Sequence, residues 1–551
     1  MITFTGKGAF GGYAMGQILF YNRIQTGIKA HTVDDPIAEL ERFFAAQKTA
    51  IEQLGELYEK ALLEVGRSSA MIFQIHQMML EDVDYVGSIT NMIQNQGQNA
   101  EYAVSVTAAK FANMFATMDD SYMRERSADV KDISQRLINV LTHNHDGVIS
   151  FEKPVIIAAN DLVPSEIMQL DKDKVLAFVT CHGSINSHTA ILARIMNIPA
   201  VVNLGTDFTK EYDGREAIVD GYNGKLIISP NQEATAYYTK KQMQEKANRA
   251  LLREQLGKDN VTQDGRKIHI VANIGSTADI PDALENDAGG IGLFRSEFLY
   301  LESSFFPSEQ DEAYKTVAQS MEGKKVVIRT MDMGADKQVD YFRLPKEENP
   351  PMGYRAIRIC LTQLDIFRTQ LRALYRASAF GNIAIMFPMI TSVEEVQQVK
   401  KIAAQIREEL DCEGIAYAPH VELGIMIETP AAAIISDLLA KEVDFFSIGT
   451  NDLTQYALAI DRQNAMLDQF YQPYHKSVLR LMKLVADNAH RNHIWCGICG
   501  DLGSDLEMTP LFLAMGIDEI SVPPSSILAV RKKVRETNVS MIQNQLFEKW
   551  L

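Results

Sequence analysis

One histidine of the sequence stands at the predicted start of a helix, where an imidazole can act as a nucleophile. His188 follows a short polar loop and precedes apolar residues at helical spacing: Ile191, Leu192, Ile195 and Met196. Ser187 or Asn186 can serve as the N-cap of this helix. The free N–H groups and the positive dipole end of the first turn favour a neutral imidazole and would stabilise an attached phosphoryl group. The alternative is a histidine that only caps or packs.

A second group of reactive side chains follows strand-like segments in the C-terminal half of the chain: Arg295, Arg329, Glu428, Asn451, Asp452 and Cys499. The carboxylates of Glu428 and Asp452 suit Mg²⁺, which also takes water and substrate oxygens as ligands. Arg295, Arg329 and Arg462 can each bind phosphate or carboxylate through two hydrogen bonds. Together these groups are suited to bind a phosphorylated carboxylic acid. A histidine elsewhere in the chain would then accept its phosphoryl group. Each charged residue taken alone is also compatible with a surface salt bridge.

Strand-like segments alternate with helical ones from about residue 261 to the end of the chain. The eight segments are 268–272, 290–294, 326–330, 383–388, 423–428, 445–449, 494–499 and 519–522. They predict a (β/α)8 barrel of the TIM type, and an open doubly wound sheet is the alternative. A barrel requires its catalytic groups at the C-terminal ends of the strands, which is where the reactive side chains stand.

The N-terminal half combines a second α/β region with a helical insert. Strand-like segments occur at 17–21, 155–159, 175–180, 200–202, 217–219 and 226–229, and long helical patterns separate the first from the second. We therefore expect a multidomain α/β protein with an α-helical bundle inserted into its N-terminal α/β domain. The predicted boundaries are 1–22 and 146–230 for the α/β domain with His188, 23–145 for the insert, 231–260 for a helical linker and 261–551 for the barrel.

The composition excludes several classes of protein. With 54 basic and 71 acidic residues, the net charge of −17 argues against a nucleic-acid binder. Five cysteines are too few and too scattered for a disulfide framework, which favours a reducing compartment. No apolar segment is long enough to span a membrane, and no signal-peptide pattern begins the chain. These features predict a cytoplasmic protein without membrane insertion.

The sequence WCGIC at 495–499 has the spacing of a thioredoxin-type redox motif. Such a motif normally follows the first strand of a small domain, whereas this one ends the seventh strand of a large repeat array. A zinc site would need more ligands than this pair and His493. We therefore expect Cys496 to be a buried structural thiol.

Several longer segments are together highly specific. They are DLVPSE (161–166), SHTAILAR (187–194), GLFRSEFLY (292–300), RTMDMGADK (329–337), NPPMGYRAIR (349–358), GIMIETP (424–430) and SIGTNDLTQY (447–456), together with the pair MI (389–390). On these segments nearly the whole chain resembles the enzyme I family of the bacterial sugar phosphotransferase system, the phosphoenolpyruvate-protein phosphotransferases.

The resemblance implies a role for each candidate residue. His188 corresponds to the phosphorylated histidine, and Glu428 and Asp452 to the Mg²⁺ ligands. Phosphoenolpyruvate would be bound by Arg295, Arg329, Asn451, Asp452 and Arg462. Cys499 corresponds to the acid that protonates the enolpyruvate carbon and so completes pyruvate. The insert would dock the small carrier protein HPr, and the barrel would form a homodimer.

The chain departs from the family pattern near the histidine, where the usual GGRTSH loop is GSINSH and Ile185 replaces the arginine. No catalytic group is lost by this change. Two other functions are alternatives. A regulatory phosphorelay protein or non-catalytic scaffold would explain the altered loop. A phosphoenolpyruvate synthase or dikinase would need a further nucleotide-binding domain, and the sequence contains no P-loop.

Overall fold

A computed structural model of the chain describes residues 1–21, 28–64, 66–117, 121–143, 151–183, 187–301, 312–335, 342, 344–345, 347–462, 467 and 470–551. The chain divides into two compact units, Met1–Asn248 and Arg249–Leu551. This division falls inside one helix, within the segment predicted as the linker. The domain boundaries proposed from the sequence stay predictions.

An eight-stranded sheet forms the α/β part of the first unit. Its strands are β1 (Ile2–Thr5), β2 (Lys7–Phe10), β3 (Tyr13–Tyr21), β4 (Val155–Ala159), β5 (Val175–Thr180), β6 (Ala200–Val202), β7 (Glu216–Asp220) and β8 (Lys225–Ile228). The spatial order is β1-β8-β7-β3-β4-β5-β6-β2, and β3 to β6 run parallel. A Cβ at Gly8 would lie 2.1 Å from the carbonyl oxygen of Gly221, so this close approach of two backbones needs glycine.

A helical bundle stands between β3 and β4, as the sequence predicted. Its helices are α1 (Pro36–Glu64), α2 (Gly66–Leu80), α3 (Val83–Gln96), α4 (Ala100–Ala116) and α5 (Ser121–Leu141). Buried residues at helical spacing fill its core, among them Phe43, Leu54, Phe73, Ile89 and Leu137. The bundle is therefore a packed insertion in the α/β chain rather than an extended arm.

Three further helices belong to this half of the chain: α6 (Pro164–Ile167), α7 (His188–Ile195) and α8 (Gln232–Arg253). The predicted linker is thus helical over most of its length. The first half of α8 packs on the sheet of its own unit, because Tyr238 is buried and its hydroxyl donates to Asp220 at 3.2 Å. The amide of Gln242 also donates to the carbonyl of Tyr13 at 2.9 Å.

The second unit is a closed barrel of eight parallel strands. They are β9 (His269–Ile274), β10 (Ile291–Arg295), β11 (Val326–Arg329), β12 (Ile383–Phe387), β13 (Glu422–Ile427), β14 (Phe445–Ile448), β15 (Trp495–Ile498) and β16 (Glu519–Val522). Because β16 pairs with β9, the sheet closes. The predicted (β/α)8 barrel is confirmed, and the alternative of an open doubly wound sheet is wrong.

Helices cover the outside of the barrel: α9 (Ile280–Glu285), α10 (Glu297–Leu301), α11 (Glu312–Ser320), α12 (Ile357–Thr362), α13 (Leu364–Ser378), α14 (Val393–Glu413), α15 (Pro430–Ile434), α16 (Ser436–Leu439), α17 (Thr450–Leu458), α18 (Lys476–Arg491), α19 (Thr509–Met515), α20 (Ile527–Glu536) and α21 (Val539–Trp550). A separate cluster fills the inside, with Leu293, Val327, Met386, Met426 and Phe445. The interior of the barrel is a packed core, so a ligand of this fold is expected at a rim rather than inside. In the described part of the chain, every helix is too short or too polar to span a bilayer.

Candidate active site

Buried charges of both signs meet at the C-terminal ends of the barrel strands. Arg329, the last residue of β11, places Nη2 2.5 Å from Oε1 of Glu297 and 3.2 Å from Oδ2 of Asp332. Arg355 pairs with the other oxygen of Asp332 at 2.9 Å. Although burial opposes the charged form, the nearby carboxylates raise the pKa of Arg329. The guanidinium therefore stays charged inside the protein.

Arg295, the last residue of β10, lies in a different environment. It is the register partner of Arg329 across the two parallel strands. Its side chain is exposed, and the guanidinium carbon lies 5.2 Å from the ring centroid of Phe298. The strand ends thus bring two arginines side by side, one held by buried carboxylates and one resting on an aromatic ring.

Two carboxylates follow the neighbouring strands β13 and β14. Glu428 is only 1% exposed, and its Oε1 accepts a 2.6 Å hydrogen bond from the backbone N–H of Met389. Burial, then the charges of Asp452 and Asp332, raise the pKa of Glu428 to about 8. Such a crowded pair of carboxylates is the environment that a bound cation would stabilise.

The surroundings of Glu428 fit a divalent cation of the Mg²⁺ type. A Cβ at Gly449 would lie 3.1 Å from Oε2 of Glu428, so glycine leaves the space beside that oxygen open. Within the described ranges, no group of three or more His, Cys, Asp or Glu side chains is placed to hold an ion by itself. Two carboxylates with open positions suit Mg²⁺, which completes its shell with water and substrate oxygens.

Asn451 is the second residue of α17, and Arg462 lies four residues beyond the end of that helix. Oδ1 of Asn451 accepts a hydrogen bond from the backbone N–H of Asp501 at 3.1 Å, which ties the first turn of α17 to the segment after β15. Nη2 of Arg462 lies 3.6 Å from Oδ1 of Asp452, and the backbone N–H of Arg462 donates to Gln455. The structure therefore brings Asn451, Asp452 and Arg462 to the same rim as Glu428.

Cys499 follows β15 at this rim and is 5% exposed. Its Sγ lies 3.6 Å from the carbonyl oxygen of Ile448. Burial raises the pKa of the thiol to about 12. Cys499 is therefore a protonated thiol at neutral pH. The sequence alone left open whether burial or the nearby charges would decide this pKa.

Cys496 lies inside β15 and is fully buried, as expected for a structural thiol. Burial raises its pKa well above the ordinary value for cysteine. Both cysteines of the C-x-x-C sequence are free thiols.

His188 is the first residue of α7, and Ser187 is the N-cap, its Oγ accepting from the backbone N–H of Ala190 at 3.4 Å. The next side chain, Thr189, is buried and donates to the carbonyl of Leu162 at 2.9 Å. The helix start predicted for the histidine is confirmed. Ile185 and Asn186, the altered loop position and the alternative cap, lie outside the described residues.

Four residues of this site received no role from the sequence: Glu297, Asp332, Arg355 and Met389. The first three lie within the specific segments 292–300, 329–337 and 349–358, and Met389 begins the specific pair 389–390, which was the available signal. Glu297 and Asp332 pair with Arg329, and Arg355 pairs with Asp332, only because the barrel brings their loops together. The backbone N–H of Met389 carries no signal in the sequence, because any residue except proline has one.

Comparisons with known proteins agree along the chain. Three family descriptions match the chain. Residues 249–539 match the PEP-binding domain of the PEP-utilising enzymes, residues 5–126 match their N-terminal domain, and residues 151–224 match their mobile domain. The phosphoenolpyruvate-protein phosphotransferase of Geobacillus stearothermophilus is 43% identical over 539 residues, which cover 97% of this chain and 93% of the relative. That of Bacillus subtilis (strain 168) is 42% identical over 535 residues, with 96% and 93% covered.

A solved structure is also similar to part of the chain. The NMR solution structure of an Enzyme I (nEIt) protein has 31% sequence identity and a TM-score of 0.38, and the match covers 44% of this chain and 99% of that one.

Proposed function

The chain belongs to the PEP-utilising enzymes and, among them, to the phosphoenolpyruvate-protein phosphotransferases, and we propose that its own His188 carries the phosphoryl group. Transfer from phosphoenolpyruvate to His188 releases pyruvate, and a second transfer passes the group to a histidine of the carrier protein HPr. This is the first step of the sugar phosphotransferase system. The observation that supports the proposal best is the charged rim of the barrel, where the buried Arg329 lies among carboxylates.

Arginines at the ends of β10 and β11 are suited to the two anionic groups of phosphoenolpyruvate. Nε of Arg329 is buried and has no hydrogen-bond partner in the part of the chain that the structure describes. An unpaired buried donor is costly, and a substrate oxygen would satisfy it. Arg295 and Arg462 offer exposed guanidinium groups, and Asn451 adds an amide at the same rim. We assign these four residues and Asp452 to substrate binding.

Glu428 and Asp452 are the residues that would hold the divalent metal of this family, and we propose Mg²⁺. The bound ion would neutralise charge on the phosphoryl and enolate oxygens. The chain's own contribution is orientation, because the N–H of Met389 fixes one oxygen of Glu428 while Arg462 faces Asp452. Both carboxylates are therefore held before any ligand arrives.

Proton transfer is assigned to Cys499. Loss of the phosphoryl group leaves the enolate of pyruvate, whose methylene carbon must gain a proton. The raised pKa keeps the thiol protonated at neutral pH, so that it can donate to carbon as the enolate collapses. The site must then recover a proton before the next turnover.

His188 is suited to accept the phosphoryl group because it begins α7. Free backbone N–H groups and the dipole of the first turn stabilise negative charge at that point. The hydrogen bond from Thr189 to Leu162 anchors the turn to the loop before α6. The backbone at His188 is thus held in place by its neighbour Thr189.

The partner proteins belong to the proposal as well. We assign docking of HPr to the bundle α1 to α5, where Glu81 and Asp84 expose acidic side chains at the start of α3 and a basic carrier would be attracted. Asp82 also caps this helix by accepting from two backbone N–H groups. A homodimer through the barrel unit and a cytoplasmic location remain parts of this proposal.

The alternative functions gain no support. The relatives that match 96–97% of the chain are named phosphotransferases rather than regulators or dikinases. The chain also covers 93% of those relatives, so the similarity extends over nearly all of their length.

Phosphoenolpyruvate labelled in its phosphoryl group tests the proposal. The full chain with Mg²⁺ should gain a label that is stable in base and lost in acid, as expected for phosphohistidine, and should release pyruvate. His188→Ala should stay unlabelled while retaining its melting temperature. Equal labelling of His188→Ala would refute the assignment, and absence of label from the unaltered chain would refute the activity.

A further inference from the structure

A buried glutamine joins the two strand ends that carry Arg295 and Arg329. Gln370 lies on α13 and is 3% exposed. Its Oε1 accepts a 3.0 Å hydrogen bond from the backbone N–H of Met331. Its Nε2 donates to Oγ of Ser296 and to the hydroxyl of Tyr314, both at 3.0 Å. One uncharged side chain therefore contacts three elements of the barrel.

The partners of this amide lie beside the charged residues of the site. Ser296 stands between Arg295 and Glu297, and Met331 directly precedes Asp332. Gln370 thus bonds to the first residue after β10 and to the second residue after β11. Tyr314 anchors the amide from α11, where its ring packs edge-on against Phe294.

The ladder between β10 and β11 that precedes these two ends is short. The register between β10 and β11 shifts between Ile291 and Phe294, so the ladder is irregular just before the arginines. After the shift, Arg295 and Arg329 are register partners. The hydrogen bonds of Gln370 lie directly beyond this point and brace the short remaining ladder.

We propose that Gln370 is a positioning residue that sets the separation of the two arginines and thereby the affinity for phosphoenolpyruvate; this rests on the proposed function of Arg295 and Arg329 as substrate ligands. Gln370 is buried and would act on the site through Met331 and Ser296. A ligand whose two anionic groups bridge two guanidinium groups needs them at one spacing, and small misplacements of binding groups reduce activity strongly. The amide is buried, so its loss leaves the N–H of Met331 and the hydroxyl of Ser296 without their partner.

The test compares two variants, Gln370→Met and Asn488→Leu. Gln370→Met keeps the length of the side chain and loses its three hydrogen bonds. Asn488 is a buried amide on α18 that donates to Ser436 at 2.9 Å and lies outside the site. The full chain is assayed by isotope exchange between phosphoenolpyruvate and labelled pyruvate, which needs no carrier protein. Melting temperatures are recorded for both variants.

Gln370→Met should raise KM for phosphoenolpyruvate by at least about tenfold and lower the maximal exchange rate by at most about threefold. Asn488→Leu should leave KM unchanged even where it lowers the melting temperature. In an Arg295→Ala background, Gln370→Met should raise KM by less than about twofold, because the group that it positions is gone. A purely structural amide would show equal effects in both backgrounds and would overturn the inference.

Two further outcomes separate this inference from the proposed function. If Arg295→Ala and Arg329→Ala leave KM unchanged, the substrate site itself is wrongly assigned. If they raise KM and Gln370→Met does not, the site stands and the positioning role fails. Should Gln370→Met not fold, Ser296→Ala removes only the bond to the end of β10, and an unchanged KM there would equally overturn the inference.

Discussion

The backbone N–H of Met389 donates a 2.6 Å hydrogen bond to Oε1 of Glu428 while Met389 holds a left-handed backbone with φ of 58°. This conformation is unfavourable for a residue with a side chain, by about 1 kcal/mol or more. The buried loop after β12 maintains it, and the N–H is thereby aimed at the carboxylate. Because this N–H occupies Oε1, the oxygen of Glu428 that remains for a ligand is Oε2.

We therefore expect Glu428→Gln to weaken binding of Mg²⁺ by at least about tenfold, since a neutral amide replaces a charged oxygen ligand. Isothermal titration of the full chain with Mg²⁺, in the presence of phosphoenolpyruvate, measures the loss. Glu519→Gln is the matched control, because Glu519 is also a buried carboxylate but begins β16 at the opposite end of the barrel. Equal weakening in both variants would contradict the assignment.

Glu519 also predicts a dependence of stability on pH. Burial raises its pKa from 4.5 to about 8 in the folded protein, with a partial opposing effect of Lys325. Between these values the unfolded chain releases a proton that the folded chain keeps. The free energy of unfolding should therefore fall as pH rises from about 4.5 to about 8.

Glu519→Gln should remove this pH dependence, because the amide does not ionise. At pH 8 the variant should therefore unfold at a higher urea concentration than the unaltered chain, and at pH 5 at nearly the same concentration. Glu422→Gln is the comparison, because Glu422 pairs with Lys325 at 2.5 Å and its loss removes an attraction. If Glu519→Gln and the unaltered chain unfold at the same urea concentration at both pH values, burial does not raise the pKa of Glu519.

We expect the buried ion pair of Arg355 and Asp332 to contribute more to the free energy of unfolding than an ion pair on the surface. Arg355→Met takes one of two arginine partners from the buried carboxylate of Asp332, which keeps Arg329, and should cost about 2 kcal/mol of unfolding free energy. Arg368→Met removes an ion pair with Glu409 on the surface and should cost about 0–1 kcal/mol. Urea unfolding of both variants measures the difference, and similar costs would contradict the buried role of Arg355.

Many strands of the first sheet and of the barrel were predictable because they are short buried apolar segments between helical patterns. The predicted segments 175–180, 200–202 and 519–522 coincide with β5, β6 and β16. β1 and β2 were not predicted, because β1 is mostly exposed and β2 contains glycine. Their partners β8 and β6 lie about 200 residues away in sequence, and local periodicity carries no information about such pairing.

The site was predictable to the extent that chemistry follows strand ends. Arg329 and Glu428 could be located because each ends or follows an apolar strand. The bonds that orient them come from Glu297 and from the backbone of Met389, which depend on how loops meet in space. The protonation of Cys499 was likewise open, since it depends on how deeply the closed barrel buries the thiol.

The two cysteines of β15 and its following loop give the last prediction. Cys499 follows the strand at the rim that carries Glu428, whereas Cys496 lies within the strand and is fully buried. If Cys499 protonates the enolate, Cys499→Ala should fold and bind Mg²⁺ and phosphoenolpyruvate nearly normally. Its turnover should fall at least about 100-fold, the scale expected for loss of a general acid. Cys496→Ala should stay active.

Proton transfer can be followed separately from phosphoryl transfer by incubating the phosphorylated protein with pyruvate and Mg²⁺ in D₂O. The unaltered chain and Cys496→Ala should exchange the methyl protons of pyruvate for deuterium, which NMR detects directly, and Cys499→Ala should not. Because burial keeps the thiol of Cys499 protonated, exchange in the unaltered chain should persist through neutral pH. Equal exchange in Cys499→Ala would assign the proton to another group and leave Cys499 as a buried structural thiol.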